Sequence, residues 1–179
     1  MNDVGENFVQ EFVSKYNEIG SQNVRWHFIG HLQRNKVKEI VGRVQLIHSV
    51  DSFRLAEAIA KRAQTIGMIA DILLEVNTSG EDSKFGVTAN DTAPLLAAVS
   101  ALEGVRVKGL MTIGPFLPDP EQSRPAFRSL CTLRDSLRKE PSDLPILSMG
   151  MSGDYEVAIE EGATMIRIGT ALFGKRVYH

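Results

Sequence analysis

Ile166-Arg167-Ile168-Gly169-Thr170-Ala171-Leu172-Phe173-Gly174 reads as a strand running straight into a short helix. Gly169 permits close approach of the backbone, and Thr170 sets a hydroxyl beside the first free amides of that helix. Helix N-termini carry partial positive charge and unpaired N–H donors, which together favour a phosphate. The preceding strand, Ser148-Met149-Gly150-Met151-Ser152-Gly153, ends in the same way and opens another helix. Taken singly, Ser152 also reads as a helix N-cap and Gly169 as a tight turn; two such strand ends in succession favour the phosphate. Arg167 stands two residues before Gly169, so strand alternation points both to one face and leaves Ile166 and Ile168 on the other. An arginine there either pairs with a carboxylate or donates to a ring nitrogen or an anionic substrate.

Working back along the chain, the same unit recurs. Short apolar runs at Trp26–Gly30, Leu46–Asp51, Asp71–Asn77, Val107–Gly114, Ile146–Ser152 and Thr164–Thr170 have the character of buried parallel strands. Helical patterns separate them. Asp51 or Ser52 caps one that carries Leu55, Ile59, Ala63 and Ile66 on a single face and stops at Gly67. Asn90 or Asp91 starts a second, with Leu95, Leu96, Val99 and Leu102. A third follows Asp119-Pro120 and buries Phe127, Leu130 and Leu137, and Ser152 begins a short one closed by Gly162. Two more are expected over Glu6–Ile19 and Leu32–Val41.

Strands alternating with helices mean a parallel sheet, open and doubly wound or closed into a barrel. The strand starts are about 28 residues apart. Eight such units need roughly 221 residues, near the lower size of a (β/α)₈ barrel. The chain has 179 residues, about 42 fewer, and Met1–Asn7 supplies at most the end of one strand. The expectation is an open sheet or a barrel without its beginning. No linker or charge block divides residues 1–179, which are expected to form a single domain.

Composition narrows the function. With 43% hydrophobic and 23% charged residues, wholesale disorder is excluded. Twenty basic and 22 acidic side chains give a net charge of −2, which argues against broad binding of nucleic acid. The one cysteine, Cys131, suits a reducing compartment. No apolar run approaches a membrane span, and no secretory signal is visible, so a cytoplasmic protein is expected.

Five blocks carry a resemblance: Gly5-Glu6-Asn7, Trp26–Lys36, Gly109–Ile113, Ser148–Ser152 and Arg167–Gly174. In order and spacing they resemble the YggS/PROSC-type pyridoxal phosphate homeostasis proteins over almost the whole chain. The resemblance implies a (β/α)₈ TIM barrel of the alanine racemase N-terminal type, with about six to seven strands present. It implies pyridoxal 5′-phosphate (PLP) at the C-terminal face, and a non-catalytic role in binding, buffering and delivering that cofactor. Ser152, Gly169 and Thr170 match the family's phosphate cradle, and Arg167 matches the arginine facing the pyridine nitrogen. Met111 and His27, at strand ends, are candidates to line the ring; Met111 also fits plain core, and His27 a structural role.

The family's Schiff-base lysine precedes the Gly-Glu-Asn block, whereas the first lysine here is Lys15. The first strand, the first barrel helix and most of the second strand are therefore expected to be absent. Lys15, Lys36, Lys38, Lys61 and Lys139 read as helix-face or helix-start charges, Lys108 begins a strand, and Lys175 follows the last helix. Lys84, in a loop on the ligand side, reads either as a solvated lysine or as an amine near the phosphate. The expected partners are PLP and PLP-dependent apo-enzymes, with no nucleic acid, membrane or metal, and the chain a monomer or weak dimer. The alternative is a PLP-dependent racemase-like or other phosphate-binding barrel enzyme. Racemases of the related fold need a base on each face of the substrate, one of them a tyrosine from a second domain, and this chain offers Tyr16, Tyr155 and Tyr178. A third possibility is an incomplete barrel whose apolar strand edges aggregate.

Overall fold

A computed structural model describes residues 2–80, 85–140 and 142–174. Lys84 and Lys175 lie outside the described residues. The chain runs through β1 (Asp3–Glu6), α1 (Val9–Ile19), β2 (Arg25–Phe28), α2 (Val37–Ile40), β3 (Leu46–Val50) and α3 (Phe53–Thr65). It continues through β4 (Ala70–Asn77), β5 (Val87–Thr88), α4 (Ala89–Ser100), β6 (Val105–Met111) and α5 (Arg124–Leu137). β7 (Ile146–Met151), α6 (Tyr155–Glu160), β8 (Met165–Arg167) and α7 (Thr170–Phe173) complete it. The sheet order is β1-β2-β3-β4-β6-β7-β8, every pairing parallel, with β5 attached to β4 outside that path. The fold is thus a parallel barrel wrapped by helices, with seven strands in its continuous path.

Strand alternation splits the apolar residues into two layers. Ile47, Ile72, Leu74, Leu110, Leu147 and Met149 face outward and pack under the helices with Phe12, Leu55, Ile59, Phe127 and Leu130. Each such side chain contributes about 1.5–3 kcal/mol when fully buried. Leu46 and Leu73 face inward, with Ile146 and Met165 packed against them, and form a small apolar floor on which the inward Met111, one step higher beside Glu75 and Ser148, also packs. Stepping two residues toward the C-terminal end from Leu46, Leu73, Ile146 and Met165 gives His48, Glu75, Ser148 and Arg167. The barrel interior is therefore apolar at one level and polar at the next. Gly109 belongs to this inward register, and a Cβ there would lie 1.8 Å from the Ile146 carbonyl oxygen, so β6 approaches β7 too closely for any side chain.

The helices depart from expectation mainly at their starts. α1 begins at Val9 because Asp3–Glu6 is drawn into the sheet beside β2. Between Leu32 and Val41 a single 3₁₀ turn at Arg34–Lys36 precedes the short α2. α4 is capped by Thr88 rather than by Asn90 or Asp91. The Thr88 hydroxyl accepts from the Asp91 amide at 3.2 Å and donates to the Asp91 carboxylate at 2.6 Å, so the two residues satisfy each other. α6 starts at Tyr155 with Asp154, not Ser152, at its cap position. Ser152 is left free of that duty.

Candidate functional site: the C-terminal mouth of the barrel

The ends of β7 and β8 form the rim. At Gly150, φ is +89° and a Cβ would lie 2.5 Å from the Ala158 Cβ, so only glycine lets the chain turn under α6. The Asp154 carboxylate then accepts from the Met151 amide at 2.6 Å and holds the turn closed. This brings Ser152 to the start of α7, where its Oγ accepts from the amides of Gly169 at 3.1 Å and Ala171 at 3.3 Å. Two amides thus converge on one oxygen atom. Among the described residues the Thr170 amide has no protein acceptor, and its side chain is exposed on the first turn of α7. A Cβ at Gly153 or Gly169 would meet no protein atom within 4 Å, so the space between the two strand ends is open.

Arg167 sits just inside this rim. It is partly exposed by area yet densely surrounded, and burial draws its pKa down to about 10, opposed by the negative charges of Glu75 and Asp154. It remains a cation at neutral pH. Its hydrogen bonds go to neutral oxygens: Nη1 donates to Ser148 Oγ at 2.7 Å and Nη2 to the Thr112 carbonyl at 2.9 Å. The carboxylate pairing open in the sequence is not made among the described residues. Thr112 is itself fixed, its hydroxyl donating to the Val76 carbonyl at 2.8 Å and lying 2.9 Å from that of Thr78.

The inward polar positions continue from Arg167 across the barrel. Ser148 Oγ lies 2.9 Å from His48 Nδ1, His48 Nε2 lies 3.0 Å from His27 Nδ1, and His27 Nε2 lies 3.1 Å from Asp3 Oδ1. Both imidazoles are buried. Burial lowers the His48 pKa well below its ordinary value, helped by the His27 and Arg167 charges, and burial lowers that of His27 against the pull of Asp3. Glu75 moves the other way, to about 7, because burial and then the Asp51 charge disfavour its ionised form, while Arg167 favours it.

Of the residues singled out in the sequence, Ser152, Arg167, Gly169 and Thr170 therefore come together at one mouth. Met111 is fully buried, level with Glu75 and Ser148 in the strand register and packed on the apolar floor below them. His27 lies deeper and reaches Arg167 only by way of His48 and Ser148. Three inward polar residues were passed over: His48, Glu75 and Ser148. Their signal was present, each being a polar residue at an alternate position of an otherwise apolar strand. Among the described residues no helix is long and apolar enough to cross a membrane.

Residues 2–177 match the family model described as alanine racemase, N-terminal domain. A pyridoxal phosphate homeostasis protein of Aquifex aeolicus is 53% identical over 175 residues, covering 97% of this chain and 77% of the relative. The chain belongs to the pyridoxal phosphate homeostasis proteins. A solved structure of another protein, PipY of Synechococcus elongatus with PLP bound, is 36% identical with a TM-score of 0.88, covering 97% of this chain and 82% of that one. An alanine racemase of Clostridium difficile is 14% identical with a TM-score of 0.81, covering 99% of this chain and 46% of its own, which places the fold and no more.

Proposed function

We propose that this chain binds PLP at the C-terminal mouth and serves PLP homeostasis by holding and releasing the cofactor without catalysis. The observation that carries the reading is the meeting of the Ser152 hydroxyl with the first amides of α7, beside a Thr170 amide that has no protein acceptor among the described residues, with Arg167 just inside. In a family with a PLP-bound relative, that arrangement provides one end for a phosphate and one donor for a ring nitrogen. The residues suit the group: amide and hydroxyl donors for an anion, open space at Gly153 and Gly169, and a guanidinium where a planar acceptor is needed.

PLP supplies, when bound, an aldehyde and an electron-withdrawing pyridine ring. Ser152, Gly169 and Thr170 would hold the phosphate. Arg167 would donate to the ring nitrogen while keeping its own proton, which leaves that nitrogen unprotonated and weakens the ring as an electron sink. Met111, buried beside Ser148, would back the ring, and His27 would act from beneath through His48. Nothing in this set moves a proton at a substrate carbon. Tyr16 packs with Phe12 and Trp26 on the helix side of the sheet, and the Tyr155 hydroxyl donates to Glu156, so neither serves as a base at the mouth. Tyr178 lies outside the described residues, and the racemase-like alternative finds no support in the placements of Tyr16 and Tyr155. We read residues 1–179 as one binding unit that hands PLP to PLP-dependent apo-enzymes.

Equilibrium dialysis with PLP tests the proposal. Saturable binding that inorganic phosphate competes away, and that pyridoxal without phosphate fails to reproduce, is the expected result. Equal affinity for PLP and pyridoxal would remove the phosphate cradle from the account.

A further inference from the structure

The contacts from Asp3 to Arg167 do more than fill a buried space, because their donor and acceptor roles are fixed from both ends. Arg167 has no acceptor atom, so at 2.7 Å it donates to Ser148 Oγ. The Asp3 carboxylate accepts only, held ionised by the Arg25 guanidinium, whose Nε and Nη2 donate to it at 2.8 and 2.6 Å and draw its pKa down to about 2. His27 must therefore donate to Asp3 from Nε2, at 3.1 Å. A neutral imidazole has one donor and one acceptor, so His27 Nδ1 accepts, and the bond it accepts comes from His48 Nε2 at 3.0 Å. His48 Nδ1 is then an acceptor, and the Ser148 hydroxyl, receiving from Arg167, donates to it at 2.9 Å. The order derived from Asp3 meets Arg167 without conflict, since a Ser148 hydroxyl that donates to His48 still offers a lone pair to the guanidinium.

We propose that Asp3, His27, His48 and Ser148 form one unidirectional hydrogen-bond chain that positions Arg167, with both imidazoles neutral and protonated at Nε2. His48 is the central positioning residue. It supplies the acceptor that turns the Ser148 hydroxyl away from Arg167, leaving the serine lone pair aimed at the guanidinium. With Nη1 held by Ser148 on β7 and Nη2 by the carbonyl of Thr112, the residue after β6, the guanidinium plane is fixed at two points. The reverse proton order is less favourable. A proton on His48 Nδ1 would face the serine with two donors, Arg167 and His48, and leave the hydroxyl proton to find another acceptor. Burial of both rings, and the charge of Arg167 beside His48, disfavour the imidazolium forms that would permit it.

The chain was hidden in the sequence because its members lie on four strands, with His48 and Ser148 separated by 100 positions. Its effect on PLP rests on the proposed function, since that reading says what Arg167 faces. The hydrogen-bond order does not, and it is tested on the protein without added ligand.

The first experiment is long-range ¹H–¹⁵N spectroscopy of the full chain at pH 7, with its four histidines assigned by His27→Gln and His48→Asn. His27 and His48 should both show protonated Nε2 and bare Nδ1, with a ¹⁵N–¹⁵N coupling between His48 Nε2 and His27 Nδ1 across their hydrogen bond. A proton on His48 Nδ1, or an imidazolium at either position, overturns the proposal. The second compares variants by PLP dialysis. Ser148→Ala and His48→Leu should each weaken PLP by about tenfold, while His48→Asn, which keeps an oxygen acceptor near the Nδ1 position, should restore most of that loss. Full affinity in His48→Leu overturns the positioning role. A wild-type chain that binds no PLP refutes the proposed function, and the spectra then still decide the hydrogen-bond order.

Discussion

Arg167 has two neighbourhoods, and they are built on opposite rules. Beneath it, from Ser148 through His48 and His27 to Asp3, every donor has an acceptor and one proton order satisfies the set. Above it, at the junction of Ser152 with α7, the Gly169 and Ala171 amides share the one Ser152 oxygen at an exposed edge, and the Thr170 amide has no protein acceptor among the described residues. A closed network whose inner members, His27, His48 and Ser148, are buried resists rearrangement because a bond broken there leaves a polar group stranded, while its Asp3 end is exposed. A set of spare donors at a wet rim costs little, since water answers them, and can exchange that water for an anion. The difference teaches where rigidity and where binding reside: the interior fixes the guanidinium, and the rim takes the ligand.

The contrast can be broken most severely at the residue both regions share. Arg167→Ala should lower PLP affinity on the order of 100-fold, as expected for losing a charge-assisted hydrogen bond in a crowded site. Dialysis of the variant measures it, and a loss below about threefold would divide Arg167 from the binding site.

The interior can next be probed through Glu75, which shares the mouth with Arg167 without a fixed hydrogen bond. Its pKa is raised from an ordinary 4.5 to about 7, so the folded chain holds this proton more tightly than the unfolded one. The stability it lends is complete below about pH 4.5 and is lost as pH rises through 7. Glu75→Gln should therefore match the wild type near pH 4 and exceed it at pH 8 by about 3 kcal/mol. Urea unfolding at the two pH values checks the sign. The imidazoles work in the opposite sense: their lowered pKa values cost stability as pH falls below an ordinary 6.5.

How far the two regions were legible from sequence follows from the same contrast. The rim is local. Ser148–Gly153 and Ile166–Gly174 each announce a strand end, a turn and a helix start within nine residues, so Ser152, Gly169, Thr170 and Arg167 could be named together. The parallel strands were legible for a related reason, each being a short apolar run between helical periods. The interior network is non-local. His48 inside Leu46–Val50 and Ser148 inside Ile146–Met151 look like single polar interruptions until the barrel brings β3 and β7 face to face. Met111 stands at a strand end in sequence and in space, paired with Glu75 and Ser148, and its full burial was the part that sequence left open. Helix starts were misjudged where two capping residues compete. Thr88 prevailed over Asn90 and Asp91 because its hydroxyl and the Asp91 carboxylate serve each other.

At the rim a smaller loss is expected. Ser152→Ala or Thr170→Ala should weaken PLP and inorganic phosphate alike by about tenfold. Thermal unfolding should be little altered, because both side chains lie at an accessible edge. A matching fall in melting temperature would mean that Ser152 ties β7 to α7 for stability, and the two regions would then differ less than claimed. The smallest effect belongs to the outer surface, where the half-buried Arg124 bonds Glu121, Glu160 and Glu161 at 2.6–2.9 Å. Arg124→Ala should leave PLP affinity unchanged by dialysis, since surface ion pairs are screened and these lie away from the mouth.

A crystal structure of the chain soaked with PLP confronts the account most directly. The phosphate should lie within hydrogen-bonding distance of Ser152 and the α7 amides, with the ring nitrogen against Arg167 and the Asp3–His27–His48–Ser148 contacts unchanged beneath. A phosphate seated elsewhere on the barrel, or a ring that leaves Arg167 uncontacted, would contradict it.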